Sequence, residues 1–282
     1  MPGPSTHLDP FAAGFPRRLR ALGPRPPVLH VRGAMVEPVR SLAIVGSRAA
    51  SAEACATAHA LAVHAATTGV QVVSGGALGV DAAAHRGALA GGGHTVVVLG
   101  TGLDVIYPDR HRGLFAQIVA AGGALVTMYP DGTPPRPGNF VRRNQVIAAL
   151  ADVVVVVSAS AGSGALHTAR AAVRMGRTVT ATPGTPGTQL LIASGASPVA
   201  TAAELDDVLA GRRRRPTRPE PSVDGRRVLA ALARADRPVT IDQLADADEL
   251  GLGFGRLTAL LCELEADGWI IPIPGGAYVG AP

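Results

Sequence analysis

Residues 41–48 read Ser-Leu-Ala-Ile-Val-Gly-Ser-Arg, an unalternating apolar run that ends in a small turn. Such a run is typical of a parallel β-strand that is buried on both faces. Four further runs of this kind follow, and alanine-rich segments of helical length separate most of them. The five runs are residues 42–45, 71–73, 95–99, 153–157 and 178–182. The pattern predicts an α/β fold with a doubly wound, mostly parallel sheet.

Glycine- or serine-bearing turns follow four of these runs. They are Gly46-Ser47-Arg48, Ser74-Gly75-Gly76, Gly100-Thr101-Gly102 and Gly162-Ser163-Gly164. Because parallel strands end at the same edge of a sheet, these turns should lie close together, where backbone amides and helix N-termini attract phosphate. We therefore expect a phosphorylated ligand at this edge. The turn residues expected to contact it are Gly46, Ser47, Arg48, Gly75, Ser163 and Gly164.

The composition restricts the class of binding partner and the cellular compartment that we expect. The 282 residues carry a formal charge of +5, and all 26 basic residues are arginine. An excess of basic over acidic residues favours an anionic binding partner, and the planar guanidinium group of arginine suits phosphate. The apolar runs are too short to cross a bilayer and the N-terminus lacks a signal-peptide layout, so we expect a cytoplasmic protein with no membrane contact.

Cofactors and metals are not expected. The turns at Gly100 and Gly162 lack the third glycine of a dinucleotide fingerprint, and a phosphate-binding loop needs the lysine that this chain does not contain. Cys55 and Cys262 lie far apart, without metal-ligand spacing. We expect both to be free, buried thiols, although a disulfide remains an alternative.

Four segments are predicted along the chain. Residues 1–40 form an N-terminal extension that packs on the core, and residues 28–31 within it have the composition of an edge strand. The α/β domain covers residues 41–210. Residues 211–225 combine prolines with like charges and are expected to form a linker, either a solvated tether or a nucleic-acid contact. Residues 226–282 form the last domain.

The last domain has the pattern of a winged helix. Helices are predicted at 226–235, at 240–245 with Thr240 as N-cap, and at 254–267, followed by a hairpin around Gly275-Gly276. The third helix would enter a major groove, but it offers Arg256 against three acidic residues. Its role is left open between DNA reading and the favoured alternative of packing or partner binding.

Residues 134–144 form a proline-bounded basic loop that leads into a helix. Three arginines, Arg136, Arg142 and Arg143, accompany one aromatic residue, Phe140, as suits a flexible strand whose phosphates pair with arginine and whose bases stack. The alternative is a solvated loop with Phe140 packed in the core. Tyr107 is equally open between stacking on a base and packing.

Three residues near the glycine turns have chemistry of their own. Asp81 is expected to cap the helix after the second turn and to be structural. His85, one turn further along, is expected to be a packed histidine. His167 is a weak general-base candidate, because no nucleophile is evidently paired with it.

Taken together, these motifs resemble the DNA-processing protein A family, also called DprA or Smf. The resemblance covers nearly the whole chain. It rests on Phe15-Pro16 to Val31-Arg32-Gly33, the run from Ala43 to Arg48, the run from Asp81 to Leu89, Gly102-Leu103-Asp104 with Tyr107-Pro108, Phe140 with Arg143-Asn144, Ser163-Gly164 with Thr168-Ala169, Pro183-Gly184 and the terminal winged helix.

The resemblance implies an extended Rossmann-like domain that binds single-stranded DNA, forms a homodimer and helps to load the RecA recombinase in natural transformation and homologous recombination. It implies a mediator and not an enzyme. By the same resemblance, Gly46, Ser47 and Arg48 would cradle backbone phosphate, Phe140 would contact a base, and Arg143 and Asn144 would shape the pocket.

The chain departs from the family pattern at several positions. Leu78 stands where a basic residue is usual and Gln145 where an arginine is usual, which predicts weaker and less salt-dependent DNA binding. Such departures would fit a diverged paralogue. Two alternatives follow: a nucleotide-binding or nucleotide-hydrolysing enzyme of the related lysine-decarboxylase-like group, and a scaffold that has lost DNA binding. The helix after Ser163-Gly164 offers no glutamate for the enzyme.

Overall fold

The computed structural model describes residues 5–11, 15–212, 220–235, 237–247, 250–267, 269–273 and 275–280. These residues divide into two compact units. One holds the described residues of Met1–Thr188 and Ser197–Arg214, and the other those of Gln189–Ala196 and Arg215–Pro282. Part of the predicted linker, residues 213–219, lies outside the described residues.

Within these ranges, nine strands form the main sheet. They are β1 (Thr6–Leu8), β2 (Leu29–Gly33), β3 (Ser41–Gly46), β4 (Gln71–Gly75), β5 (Thr95–Val98), β6 (Ala124–Thr127), β7 (Val153–Ser158), β8 (Thr178–Ala181) and β9 (Ser197–Pro198). Their spatial order is β1-β2-β6-β5-β4-β3-β7-β8-β9. The pairs that involve β2 are antiparallel and the other pairs are parallel, which confirms the predicted fold class.

Helices connect the strands along the chain. They are α1 (Ala52–Thr67), α2 (Val80–Ala90), α3 (Arg112–Ala120), α4 (Pro137–Leu150), α5 (Gly164–Arg174), α6 (Pro186–Ala193) and α7 (Ala202–Leu209), with short 3-10 helices at Arg17–Leu22 and Asp109–His111. The strand order reverses between β3 and β7, since β4 lies on one side of β3 and β7 on the other. In an open α/β sheet, a ligand crevice forms at such a switch point.

The strands are apolar on both faces because helices pack against each face. Leu42, Ile44, Val72 and Val155 are fully buried, and they pack with the alanine-rich faces of α1 and α2. A second cluster around Leu99, Phe115, Ile118 and Leu125 buries α3. The small alanine side chains let the helices approach the sheet closely.

The N-terminal extension is joined to the sheet by backbone and by charge. The predicted edge strand at residues 28–31 is present as β2, but β1 pairs outside it, so β2 lies one position in from the edge. Arg18 donates two hydrogen bonds of 2.9 Å to the carboxylate of Asp152 and one of 2.8 Å to Glu37. Asp152 also accepts from the backbone amide of Ser41. These bonds hold the extension at the start of β3.

Two expectations need correction. The strand β6, whose four residues follow Gly122-Gly123, was not predicted, although it is as long as β5 and β8. The two cysteines are free, but they are not buried: Cys55 is half-buried and Cys262 is exposed. Cys262 lies on the solvent face of its helix. The prediction of burial treated cysteine as a small apolar residue and was wrong.

The second unit contains the C-terminal elements α8 (Val223–Arg234), β10 (Val239–Thr240), α9 (Ile241–Ala245), α10 (Phe254–Ala266), β11 (Ile270–Ile273) and β12 (Ala277–Gly280). Its sheet has the order β10-β12-β11, and β10 was not predicted. Thr240 caps α9 as predicted, in a reciprocal capping box with Gln243. Val228, Leu232, Leu257 and Leu261 are among the residues of its core. The three helices and the β-hairpin confirm the winged helix.

In the part of the chain that the structure describes, every helix is too short or too polar to span a lipid bilayer.

Candidate functional site

A cavity of about 600 Å³ opens at the carboxyl edge of the sheet, at the switch point between β3 and β7. One wall is the turn after β3, and the opposite wall is the N-terminus of α5. The first two turns of α4, with Phe140 and Arg143, complete the lining. The predicted residues Gly46, Ser47, Arg48, Tyr107, Phe140, Arg143, Asn144, Ser163 and Gly164 all line this cavity.

The first wall is a tight turn that places Arg48 in solvent. A Cβ on Gly46 would lie 2.7 Å from Val80 Cγ2 and 3.0 Å from the carbonyl oxygen of Ser158, so only glycine fits there. Ser47 Oγ accepts a hydrogen bond of 3.1 Å from the amide of Ala49. Helix α1 follows this turn at Ala52, with Ser51 as its N-cap. The residues of this turn line the cavity just ahead of the helix.

The second wall is a helix N-terminus. Ser163 is the N-cap of α5, and its Oγ accepts from the amide of Ala165 at 3.3 Å. Asn144 Nδ2 donates to the carbonyl oxygen of Gly164 at 3.1 Å and so ties α4 to this wall. The helix dipole makes such a terminus favourable for an anion.

Phe140 forms the aromatic floor between the two walls. The guanidinium carbon of Arg48 lies 5.2 Å from its ring centroid, and that of Arg143 lies 5.9 Å away. The Tyr107 ring is tilted by 40° against Phe140, with 5.5 Å between centroids, and is 41% exposed. A Cβ on Gly100 would lie 2.7 Å from Phe140 Cδ1, so the ring rests directly on the backbone. Phe140 is half-buried at the cavity and does not belong to the core.

Arg143 is buried beneath the ring. It is 5% exposed, and its guanidinium donates to the carbonyl oxygen of Val98. Burial lowers the pKa of Arg143, and the negative charge of Asp81 opposes that shift. Burial likewise raises the pKa of Asp81, opposed first by Arg143. The two groups compensate one another within the cavity floor.

Gly75 lies under this pair and does not line the cavity. A Cβ at Gly75 would overlap both Arg143 Nη1 and Asp81 Oδ2, so a side chain there would push the charged pair apart. Its carbonyl oxygen accepts a 2.8 Å hydrogen bond from His85 Nε2. Gly75 was expected to contact ligand, but the structure gives it a supporting position.

The structure changes the assignment of Asp81 and confirms that of His85. Asp81 is not the cap of α2, because Gly79 holds that position with φ of 73°, and Asp81 follows in the first turn. Its carboxylate accepts from the amide of Ala77 at 3.3 Å. His85 is packed as expected, with Nδ1 2.8 Å from Thr95 Oγ1, and burial lowers its pKa to about 4.

Two other predicted residues lie elsewhere. Arg142 is exposed on α4 and is not part of the cavity lining. His167 is also exposed and outside the lining, which gives it no acid-base partner there. Across the described residues, no group of His, Cys, Asp and Glu has the arrangement of a metal site.

The sequence reading missed the acidic member of the site. Asp81 lines the cavity, but no local pattern connects it with an arginine on α4. A smaller cavity of about 60 Å³ was also missed. It adjoins the larger cavity and shares Arg48, Ala77, Tyr107, Phe140 and Arg143 with it.

Comparison with protein families decides the classification of this architecture. The family described as DNA recombination-mediator protein A matches residues 7–210. The chain belongs to this family. A second family, the DprA winged helix domain, matches residues 212–276. Both matches confirm the resemblance that the motifs indicated.

Individual members of the family are similar over most of the chain. Protein Smf of Escherichia coli strain K12 is 38% identical, and the alignment covers 97% of this chain and 77% of that protein. A putative DNA processing protein DprA of Mycobacterium tuberculosis is 39% identical over 88% of this chain and 67% of its own length.

Solved structures of the family share the fold. DprA from Streptococcus pneumoniae superposes with a TM-score of 0.65 at 32% identity and covers 73% of both chains. DNA processing protein A from Helicobacter pylori superposes with a TM-score of 0.66 at 27% identity, over 74% of this chain and 97% of that one. The Helicobacter structure concerns the single-stranded DNA binding mode of that protein.

Proposed function

We propose that this protein is a non-catalytic recombination mediator that binds single-stranded DNA in the cavity between β3 and β7. The observation that carries the proposal is the arrangement of Arg48 and Phe140 beside the N-terminus of α5. A cation, a ring and a set of helix amides meet there within one open cavity. This combination suits a strand whose phosphates and bases are both accessible.

The two walls suit the phosphate backbone. Arg48 is exposed and supplies positive charge at the rim. The N-terminus of α5 adds amides and a favourable dipole on the opposite side, next to the Ser163 hydroxyl. Phosphate contacts of this kind carry no sequence information, so we expect binding to depend on salt more than on base sequence.

The floor suits an unpaired base. Phe140 is half-buried but accessible from the cavity, and Tyr107 extends the aromatic surface. Stacking on such rings is available only to bases that are not held in a duplex. Arg143 is buried with Asp81, so its part in the proposal is to support the ring from below.

The comparisons support the same function through the family. The single-stranded DNA binding described for the Helicobacter relative is consistent with a strand in this cavity. By family membership we further propose a cytoplasmic homodimer that hands its strand to the RecA recombinase in natural transformation and homologous recombination. We also propose that residues 41–210 bind DNA, residues 1–40 support them, residues 211–225 act as a linker, and residues 226–282 serve a partner.

The test is fluorescence anisotropy of a labelled single-stranded oligonucleotide, with duplex of the same sequence as competitor and with salt varied. We expect tight binding to the single strand, weak competition by the duplex and a fall in affinity as salt rises. Absence of binding at low salt would contradict the proposal. Heat released on titration with a nucleoside monophosphate would then favour the nucleotide enzyme, and no response to either ligand would favour the scaffold.

A further inference from the structure

The smaller cavity beside Phe140 has walls of a different character from the larger one. Its apolar surface comes from Leu78, Leu99, Pro108 and the rings of Tyr107 and Phe140. The backbones of Gly76 and Gly100 complete the lining, and the guanidinium groups of Arg48 and Arg143 lie at the side shared with the larger cavity. A ligand group in this cavity therefore meets mainly hydrocarbon.

The volume limits what can enter. A cavity needs roughly 10–15 Å³ to hold one water-sized group, so about 60 Å³ has room for about four or five such groups. A whole nucleobase does not fit, but one edge of a base does. A phosphate group is disfavoured there, because most of the lining is apolar and the two guanidinium groups belong to the side shared with the larger cavity.

Among the edges of the DNA bases, one is apolar. Thymine carries a C5-methyl group, whereas the other bases present donors, acceptors or ring hydrogens at their edges. The position of the cavity is suitable, since it shares the Phe140 ring with the proposed strand-binding cavity. A base held against Phe140 would have one edge directed along the shared wall.

We infer that the cavity lined by Leu78, Leu99 and Pro108 receives the C5-methyl edge of a thymine in the bound strand. The inference rests on the proposed function. It assigns a specificity-determining role to Leu78, which is half-buried in the cavity wall. Burying one methyl group makes binding about fourfold tighter, which sets the size of the expected preference.

The experiment compares labelled oligonucleotides of deoxythymidine and deoxyuridine of equal length. They have the same phosphates and the same hydrogen-bonding groups, and they differ only in the C5-methyl group. Anisotropy titrations of the full chain give the ratio of the two dissociation constants. We expect deoxythymidine to bind about fourfold more tightly than deoxyuridine.

Two variants at Leu78 test whether the preference for deoxythymidine arises in this cavity. Leu78→Trp fills the cavity and should bring the ratio to about one. Leu78→Ala removes part of the wall without a clash and should lower the ratio as well. Val173→Trp is the control, because Val173 is 63% exposed on α5 and lines neither cavity, so the ratio should match that of the wild type.

The possible results separate a failure of the thymine subsite from a failure of the proposed function. A wild-type ratio near one, with both oligonucleotides bound, overturns the thymine subsite and leaves the proposed function standing. A fourfold ratio that persists in both Leu78 variants also overturns it, since the methyl group is then recognised elsewhere. Absence of binding to both oligonucleotides overturns the proposed function and the subsite together.

Discussion

The guanidinium carbon of Arg48, an exposed residue that lines the open cavity, lies 5.2 Å from the centroid of the Phe140 ring. Arg143 approaches the same ring from within the protein, and its charge is compensated by Asp81. The two arginines therefore have different roles although both flank one ring. Arg48 is available to a ligand, and Arg143 holds the ring in place.

Phe140→Ala should weaken single-stranded DNA binding roughly tenfold, since stacking contributes about 1–3 kcal/mol per base. The slope of affinity against salt should stay the same, because no charge is lost. Phe140→Tyr keeps an aromatic ring and should retain most of the affinity. Anisotropy titrations at several salt concentrations measure both quantities. A weaker salt dependence in Phe140→Ala would mean that the substitution acts through the neighbouring arginines.

Arg143→Met should lower the free energy of unfolding by about 3 kcal/mol, because it leaves the buried Asp81 carboxylate without its compensating charge. Adding Asp81→Asn should recover part of that loss. Arg142→Met is the matched control, since Arg142 is the exposed neighbour on α4 and should change stability little. Urea denaturation gives the three values. Equal losses in Arg142→Met and Arg143→Met would contradict the buried pair.

Gly75→Ala should destabilise the fold by about 1–3 kcal/mol, because the new methyl group overlaps Arg143 and Asp81. Gly138→Ala, in the first turn of α4, is the comparison, since a Cβ there has nothing within 4 Å. Its thermal midpoint should equal or exceed that of the wild type. A wild-type midpoint for Gly75→Ala would show that the space beneath the charged pair is not filled.

His85 should make the fold sensitive to acid. Its pKa is about 4 in the folded protein against an ordinary value of 6.5, so the unfolded chain binds the proton more readily. Stability from the neutral ring is fully present above pH 6.5 and falls as the pH drops toward 4, by about 3 kcal/mol in total.

His85→Gln has no titrating ring and serves as the reference for this pH dependence. Asp81, whose pKa is raised by burial, gains stability as the pH falls, but it is present in both proteins and its effect cancels in their difference. The measurement is the unfolding free energy of both proteins at pH 7 and pH 4. Parallel losses in the two proteins would show that His85 is not the group responsible.

Much of the fold follows from local pattern. The runs at residues 42–45, 71–73 and 153–157 became β3, β4 and β7, because uninterrupted Val and Ile are stable only between two layers of helix. Thr240 was recognisable as a cap because its partner, Gln243, lies three residues away. The strand β6 contains one valine, against three in the equally long β5, and was missed.

The positions of site residues in turns that follow strands could be predicted from the sequence. The positions of site residues that depend on tertiary contacts could not. Gly46 and Ser163 follow strands that end at one edge, so strand pattern alone brings them together. Arg143 can be buried because Asp81 compensates its charge and because Gly75 has no side chain to occupy the same space. Both residues belong to other elements. Sequence spacing does not reveal such a contact. Arg143 was therefore predicted to contact the ligand.

The most direct test of DNA binding at this cavity compares the wild type, Arg48→Ala and Arg174→Ala by anisotropy with a single-stranded oligonucleotide over a range of salt. Arg174 is exposed in the last turn of α5 and outside the cavity, so both variants lose one positive charge. We predict that Arg48→Ala binds about tenfold more weakly and that the slope of log affinity against log salt falls by about 0.7, while Arg174→Ala stays close to the wild type. Equal affinities and slopes in the two variants would contradict a phosphate contact at Arg48 and the cavity as the binding site.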